Sequence, residues 1–396
     1  MKEHCDFCQK RKPPSELMVS PKTGATICSD CLAAAHTLME PGALPAPQEM
    51  PRGPRRGPPP RLEATLEELL GVLGRKVVGQ EEAQEALAFA FLTHLARLKD
   101  PSLRVHPHLL LVGPTGSGKT HLVRTLADHL GLPTVHASAT SLTQAGYVGD
   151  DVETLLARLL REAGGEPELA EVGVIFLDEF DKLARKSGEH RAESRDVSGE
   201  GVQQALLRMV EGALVPVPQN LSGPARYGGE GRREVLLDTS RILWIFAGSF
   251  EGLEEVVRSR LPPALGFTPR RAGKRPLPTH EDLVRYGIIP ELVGRIGQVV
   301  LLSPLTEEEL ARVLEGPEGF LAEYRALLQR FGLSLHAEEG FSRLLARRAS
   351  RMGFGARGLR ALLAPLVRRK AVEAMRSGGR EVRLSPEDLM EEEALP

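Results

Sequence analysis

The chain has 396 residues, enough for two or three domains with a sizeable buried core and no need of disulfide bonds. Its 51 lysines and arginines nearly balance 53 aspartates and glutamates, so the net charge of −2 excludes an overall basic field that would indicate DNA or an anionic membrane as the main partner, and a nucleic-acid role would need a local basic patch. The first residues are charged and no stretch approaches about 18 consecutive apolar residues. We therefore expect a cytoplasmic protein without a signal peptide or a membrane span.

The chain begins with two C-x-x-C pairs, "CDFC" and "CSDC", 19 residues apart, which contain Cys5, Cys8, Cys28 and Cys31. Each pair supplies two sulfurs from one tight turn, as a tetrahedral zinc–thiolate site requires. Two disulfides or ordinary buried thiols are the alternatives, and a cytoplasmic chain disfavours disulfides. Four thiolates leave no open coordination position, so we predict a zinc-binding domain over residues 1–40 that serves recognition rather than catalysis.

A proline-rich segment follows this domain. Residues 41–60 contain eight prolines and no apolar periodicity, a composition typical of an extended, semi-rigid spacer. We therefore predict a linker over residues 41–61.

From about residue 62, helical and strand patterns alternate. The predicted strands are "HLLLV", "GVIFLDE" and "ILWIFAG", and the predicted helices are "EEAQEALAFAFLTHLARL", "HLVRTLADHL" and "GVQQALLRMVEG". This alternation indicates a parallel α/β sheet covered on both faces. After "LLSPLT" the pattern is helical apart from a strand candidate, "EVRLS". We predict an α/β domain over residues 62–303 and a smaller, mostly helical domain over 304–396.

The first chemical motif is a phosphate loop, "GPTGSGKT", between a predicted strand and a predicted helix. In such a loop, backbone N–H groups close around the phosphates at a helix N-terminus, Lys119 reaches the β- and γ-phosphates, and Thr120 ligates magnesium. A glycine-rich turn is the alternative, but it does not explain the lysine. The predicted nucleotide-binding residues are Gly113, Pro114, Thr115, Gly116, Ser117, Gly118, Lys119 and Thr120.

Two adjacent carboxylates end the strand "VIFLDE". Asp178 can hold the magnesium ion, and Glu179 can orient and deprotonate the attacking water. A solvated strand end is the alternative for the pair alone. Together with the phosphate loop, the pair predicts ATP hydrolysis rather than ATP binding only.

Two arginines further along the chain are catalytic candidates. Arg295 follows a helix-like segment in "ELVGRIG", and Arg357 lies at the expected start of a helix in "GFGARGLR". By pattern alone each is more often a surface salt-bridge partner. In a multi-subunit ATPase, one arginine from a neighbour can stabilise transition-state charge and another can sense the γ-phosphate.

Taken together, the motifs resemble the ClpX family of AAA+ unfoldases over nearly the whole chain. The four-cysteine module and the segments "VVGQEEAQ", "GPTGSGKT", "AGYVGDDVE", "FLDEFDKLARKS", "RDVSGEGVQQALL", "IIPELVGR" and "GARGLR" carry the resemblance. "AGYVG" and "RDVSGEGVQQALL" are the specific ones, since many families share the phosphate loop. The resemblance implies an AAA+ fold, with ATP and Mg²⁺ at the nucleotide site and Zn²⁺ at the cysteines.

The resemblance also implies a homohexameric ring that couples ATP hydrolysis to protein unfolding. Arg295 would act on a neighbour's nucleotide, Arg357 would be the second-domain sensor, and Val78 in "VVGQ" would line the adenine pocket. The "GYVG" loop would line the axial pore, where Tyr147 and Val148 would grip substrate. An aromatic and a branched aliphatic side chain offer sequence-tolerant contact, and the flanking glycines permit the loop to move.

Three positions depart from the family pattern. The Arg-Lys-His triplet at the ring entrance is missing, with Arg226, Arg232 and Arg233 in that region, which leaves the recognised tag open. The peptidase-docking loop, usually Ile-Gly-Phe, reads Leu265, Gly266 and Phe267, a change that keeps apolar volume. No asparagine is placed to act as the first sensor, and Ser249 is the nearest polar candidate.

The expected partners are a ClpP-type peptidase, tagged or unfolded proteins, and adaptors that bind the zinc domain, with no membrane and no specific nucleic acid. No serine or cysteine has a convincing nucleophile setting, so we expect no intrinsic protease activity. The alternatives are a DNA-acting AAA+ motor, which predicts basic pore loops, and a stand-alone chaperone without a peptidase. A nearer alternative is an HslU-type unfoldase, which has a similar pore loop. That family lacks the zinc module and has a large inserted domain, whereas this sequence has the module and no room for the insertion.

Overall fold

The chain separates into two units, Met1–Pro54 and Arg55–Pro396. The structure is a computed structural model that describes residues 4–6, 13–19, 25–32, 59–143, 151–184, 199–218, 234–260 and 276–391. The domain boundaries proposed from the sequence, at residues 40, 61 and 303, stay predictions.

The first unit contains a short antiparallel hairpin, formed by β1 (Leu17–Val19) and β2 (Thr26–Cys28). Thr26 is buried and joins this hairpin to the start of the chain. Its backbone N–H donates to Asp6 Oδ2 at 2.6 Å, and its hydroxyl donates to the His4 carbonyl oxygen at 2.6 Å. These bonds hold residues 4–6 alongside β2.

The second unit is built on a parallel sheet. Its strands include β3 (Leu109–Val112), β4 (Thr134–Ser138), β5 (Val174–Asp178), β6 (Leu214–Pro218), β7 (Glu234–Asp238), β8 (Leu243–Gly248) and β9 (Gln298–Leu301). Five of them are parallel, in the order β4-β5-β8-β3-β9, whereas β6 and β7 form a separate antiparallel hairpin. The predicted parallel α/β sheet is confirmed. The three strands predicted from the sequence are the central strands β5, β8 and β3. The two edge strands, β4 and β9, were not predicted.

Helices cover both faces of this sheet. One face packs against α1 (Leu66–Lys76), α2 (Glu81–Lys99) and α3 (Lys119–Leu130). The other face packs against α4 (Val152–Glu162), α5 (Pro167–Glu171), α6 (Gly199–Glu211), α7 (Leu253–Arg260), α8 (His280–Tyr286) and α9 (Pro290–Val293). Since side chains alternate along a strand, Leu109 and Leu111 face the first group, and Leu110 and Val112 face the second.

The C-terminal part has its own apolar core and is mostly helical, as predicted. Its elements are α10 (Glu307–Glu315), α11 (Phe320–Gln329), β10 (Ser334–Ala337), α12 (Phe341–Arg351), α13 (Gly355–Ser377), β11 (Glu381–Leu384) and α14 (Pro386–Glu391). A capping box begins α10: Thr306 Oγ1 accepts from Glu309 N at 3.2 Å, and Glu309 Oε2 accepts from Thr306 N at 2.7 Å. The predicted strand "EVRLS" is β11, which pairs in parallel with β10.

Two buried histidines make the stability of this fold depend on pH. Burial lowers the pKa of His94 to about 4 and of His108 to about 3, from 6.5. Each is fixed by a hydrogen bond: His94 Nε2 donates to Val172 O at 3.0 Å, and His108 Nδ1 accepts from Trp244 N at 3.2 Å. Both rings are therefore neutral in the folded protein at neutral pH.

Below pH 6.5 the unfolded chain takes up protons that the folded chain does not, so the free energy of unfolding falls as pH falls towards the folded pKa values. Each histidine contributes at most about 1.4 kcal/mol per pH unit in this window. We expect His108→Asn, which keeps an acceptor for Trp244 N–H and removes one titrating ring, to show a smaller loss between pH 7 and pH 5. Urea denaturation of the full chain at both pH values measures this loss of the free energy of unfolding. Equal losses in the variant and the parent would show that folding does not lower the pKa of His108.

Candidate nucleotide and metal sites

The phosphate loop connects the carboxyl end of β3 to the first residue of α3. Gly116 and Gly118 have φ values of 79° and 97°, which favour glycine. A Cβ at Gly116 would overlap the carbonyl oxygen of Phe354. Backbone N–H groups at the start of α3 form the part of a helix that attracts anions. The loop therefore has the backbone shape and polarity of a phosphate cradle.

Lys119 lies within this cradle. Its ammonium donates to the carbonyl oxygens of Gly113 at 2.6 Å and Pro114 at 2.9 Å. Burial lowers the pKa of Lys119, and the nearby carboxylate of Asp178 opposes that shift. The side chain is thus a cation held beside the loop and close to an acidic strand end.

The hydroxyls of the loop fit the predicted ligands. Ser117 Oγ is buried and has no hydrogen-bond partner in the described part of the chain. Thr115 and Thr120 are exposed, and Pro114 is half-buried. A triphosphate with Mg²⁺ offers oxygens and a cation to such groups, so the residues present suit the predicted ATP and Mg²⁺.

Asp178 is the last residue of β5, and Glu179 follows it in a left-handed conformation with φ 57°. Glu179 N donates to Asp178 Oδ1 at 2.9 Å. The Glu179 carboxylate accepts hydrogen bonds from the hydroxyls of Ser138 and Thr140, the latter at 3.1 Å. The Ser138 hydrogen bond is the largest cause that holds the pKa of Glu179 below its ordinary value. Glu179 is therefore an ionised acceptor at neutral pH.

Ser138 and Thr140 were missed from the sequence. They lie at the end of β4, an edge strand that was not predicted, about 40 residues before Glu179 in the chain. Only the pairing of β4 with β5, which places Ser138 opposite Asp178, brings them to the site.

A third acid, Asp181, was also missed. It is buried and accepts from Ser249 N and from Ser249 Oγ, both at 3.2 Å, and it pairs with Lys182 Nζ at 3.2 Å. The hydroxyl of Ser249 therefore points at a carboxylate that follows the Glu179 turn. Its assignment as the first sensor stays a prediction.

Val78 is half-buried and lies just before two left-handed residues, Gly79 and Gln80. The Gln80 side chain donates to Ser303 O at 2.7 Å and accepts from Ser303 N at 3.1 Å. The predicted adenine-pocket segment is thus bonded to the chain just after β9.

Arg357 lies in the first turn of α13, as predicted. That helix start contacts the phosphate loop, because Ala356 N donates to Gly116 O at 3.2 Å. The charge of Arg357 contributes to lowering the pKa values of both Lys119 and Glu179. The tertiary structure therefore places Arg357 near the predicted nucleotide-binding residues of its own chain.

Arg295 lies elsewhere. It follows α9, and Gly297 N donates to the carbonyl oxygen of His108, which precedes β3. Arg295 Nη2 is 2.6 Å from Glu211 Oε1. The phosphate loop follows the opposite end of β3, about 16 Å away at 3.3 Å per strand residue. Arg295 is thus separated from its own chain's phosphate loop.

The cysteines of the first unit come together. The sulfur atoms of Cys5, Cys28 and Cys31 lie within 4.8 Å of one another, and Cys28 N donates to Cys5 Sγ at 3.2 Å. Cys5 and Cys28 are fully buried. Three clustered sulfurs, with an N–H directed at one of them, suit a zinc–thiolate site.

Several predicted residues lie outside the described residues: Cys8, Tyr147, Val148, Arg226, Arg232, Arg233, Leu265, Gly266 and Phe267. Within the described ranges, no helix combines the length and the apolar character needed to cross a bilayer.

Comparison with known proteins finds two family matches. Residues 3–40 match the ClpX C4-type zinc finger, and residues 106–299 match the AAA domain (Cdc48 subfamily).

Three relatives that match over most of their length are named as ATP-dependent Clp protease ATP-binding subunits ClpX. The protein from Treponema denticola is 36% identical over 391 residues, 95% of this chain and 91% of the relative. The one from Methylococcus capsulatus, numbered ClpX 3, is 39% identical over 407 residues, 94% and 88% of the two chains. The one from Azotobacter vinelandii is 38% identical over 384 residues, 91% and 83%.

Proposed function

This chain belongs to the ClpX family of AAA+ ATPases, and from that membership we propose that it is a protein unfoldase. It forms a homohexameric ring that unfolds protein substrates and threads them into a ClpP-type peptidase. The ring uses ATP with Mg²⁺, and Zn²⁺ binds its N-terminal cysteines. The chain itself has no protease activity.

The observation that carries the ring proposal is the placement of Arg295 at the end of β3 remote from the phosphate loop. An arginine there does not reach the nucleotide of its own chain. A closed ring can bring it to the nucleotide of the next copy, where it would stabilise charge on the transferred phosphoryl group. Arg357, which lies on the helix that contacts the phosphate loop, serves the nucleotide of its own chain.

Hydrolysis follows from the strand-end acids. Thr120 and Asp178 would hold Mg²⁺, which would supply positive charge that neutralises the phosphates. The backbone of Gly113–Gly118 and the ammonium of Lys119 orient the triphosphate. Glu179 positions a water molecule and accepts its proton. Its contact with Ser138 keeps the carboxylate ionised and fixed in place.

The substrate-handling roles rest on family motifs. Tyr147 and Val148 grip the polypeptide in the pore, and Leu265, Gly266 and Phe267 dock on the peptidase. The zinc domain, proposed over residues 1–40 and tethered by residues 41–61, recruits substrates or adaptors.

The test is unfolding of a stably folded fluorescent reporter that carries an unstructured tail, in the presence of ATP. We expect the parent chain to abolish the fluorescence, and Tyr147→Ala to unfold the reporter at least about tenfold more slowly because the pore loses its aromatic contact. ATP hydrolysis should persist in the variant.

Two results separate the alternatives. Reporter unfolding by the parent without degradation when a ClpP-type peptidase is added would support a stand-alone chaperone. Strong stimulation of ATP hydrolysis by DNA that weakens with salt, without unfolding of several differently tailed reporters, would support a DNA-acting motor.

A further inference from the structure

Glu211, the last residue of α6, forms an ion pair with Arg295. Arg295 Nη2 and Nε approach the same carboxylate oxygen, Glu211 Oε1, at 2.6 and 3.2 Å. On its other side, Arg295 Nη1 is 3.5 Å from His106 Nε2. The guanidinium is therefore held between a carboxylate and an imidazole, which restricts a side chain with large rotamer freedom.

The backbone on both sides of Glu211 is fixed by one buried threonine. Thr239 Oγ1 donates to Met209 O at 2.7 Å and accepts from Ala213 N at 2.9 Å. Thr239 N also donates to Ala213 O at 3.0 Å. The carboxylate of Glu211 thus projects from an anchored turn, unlike an acid on a freely moving loop.

The segment that carries Arg295 is equally restrained. Ile296 beside it is buried, and the next residue, Gly297, donates its N–H to His108 O at 2.8 Å. Two rigid backbones therefore meet through one partly exposed ion pair, with side-chain exposures of 37% for Arg295 and 42% for Glu211. A partly exposed ion pair of this kind contributes little to stability. The geometry of this pair therefore indicates that it orients the Arg295 guanidinium.

We propose that Glu211 is a positioning residue that presents Arg295 to the nucleotide bound by the adjacent copy. The inference rests on the proposed ring in which Arg295 acts on a neighbour. Glu211 binds the Nε and Nη2 edge of the guanidinium at 3.2 and 2.6 Å, and Nη1, whose contact with His106 Nε2 is the longest of the three at 3.5 Å, is the nitrogen that turns to an incoming phosphate. Without the carboxylate, the arginine samples other rotamers and meets the γ-phosphate less often in the productive geometry.

The experiment measures steady-state ATP hydrolysis by the full chain with Glu211→Gln and Glu211→Ala. We expect kcat to fall about three- to tenfold while KM for ATP stays within about twofold, because the neighbour's arginine acts in the transition state and not in ATP binding. The matched control is Glu323→Gln, which removes the carboxylate of another exposed ion pair, Arg360–Glu323 at 2.8 Å, on helices of the C-terminal core. It should leave kcat unchanged.

Combined variants and mixed rings test whether Glu211 acts through Arg295. In Arg295→Ala, which should itself abolish most hydrolysis, adding Glu211→Gln should cause no further loss. Rings mixed from Glu211→Gln and Glu179→Gln copies should hydrolyse faster per intact Glu179 than pure Glu211→Gln rings, because some active sites then receive a correctly held arginine.

The outcomes separate the inference from the function it rests on. If Arg295→Ala abolishes hydrolysis and Glu211→Gln equals the parent, the positioning role is wrong and the ring proposal stands. If Arg295→Ala hydrolyses ATP normally, the trans arginine itself is wrong. A raised kcat in Glu211→Gln, or loss of the hexamer by native mass spectrometry, would also overturn the positioning role.

Discussion

Replacing Glu179 with glutamine is expected to lower steady-state ATP hydrolysis at least about 100-fold while ATP still binds. The amide has the shape of the carboxylate and can still accept from the hydroxyls of Ser138 and Thr140, so the turn after β5 is preserved. It cannot take a proton from water. The loss therefore reports on base catalysis and not on folding.

The measurement pairs phosphate release with equilibrium binding of a fluorescent ATP analogue. Glu254→Gln is the control, because Glu254 is an exposed acid on α7 that pairs with Arg258 at 3.3 Å. It should match the parent in both assays. Near-normal turnover by Glu179→Gln would remove this residue from the role of catalytic base.

The second large effect is expected at Gly116, where alanine should weaken ATP binding at least about 30-fold. A φ of 79° strains any residue with a Cβ, at a cost of about 1–2 kcal/mol. The added methyl would also overlap the carbonyl oxygen of Phe354 at the start of α13, and backbone cannot move aside like a side-chain end. Overpacking of this kind costs a further amount of about 1–3 kcal/mol. The loop should relax into a conformation that no longer surrounds phosphates.

Substitutions at two other glycines separate the effect of backbone strain from that of steric overlap. Gly164 has a φ of 70° but open space where a Cβ would be, so Gly164→Ala isolates backbone strain away from the loop. Gly74 lies inside α1 with open space and ordinary helical backbone, so Gly74→Ala should be neutral or slightly stabilising. Binding of the ATP analogue and the thermal midpoint are measured for all three. Parent-like affinity in Gly116→Ala would show that the contact between the phosphate loop and α13 is dispensable for nucleotide binding.

Much of the candidate nucleotide site was predictable because its residues are close together in the chain. The phosphate loop is one run of eight residues, and Asp178 and Glu179 are adjacent. Their flanking strands are buried on both faces, so they read as continuous apolar runs. The cysteines are predictable for a similar reason, since their spacing alone indicates a metal ligand set.

Residues that act through long-range pairing were not predictable. Ser138 reaches Glu179 only because β4 pairs with β5, and β4 is a sheet edge whose half-exposed alternation gives a weak pattern. Glu211 meets Arg295 across 84 positions of sequence. Ordinary charged residues at helix ends carry no local signal of such a partner.

The sequence by itself determined the family, the nucleotide chemistry and the parallel α/β class, because each of these depends on motifs or periodicities within short segments. Only the tertiary structure decided which side chains meet: Arg357 near Lys119 of the same chain, and Arg295 at the far end of β3. The two arginines are distinguished by the ends of β3 near which the fold places them. Chain order does not specify which strand ends come together, and the packing of the sheet and its helices does.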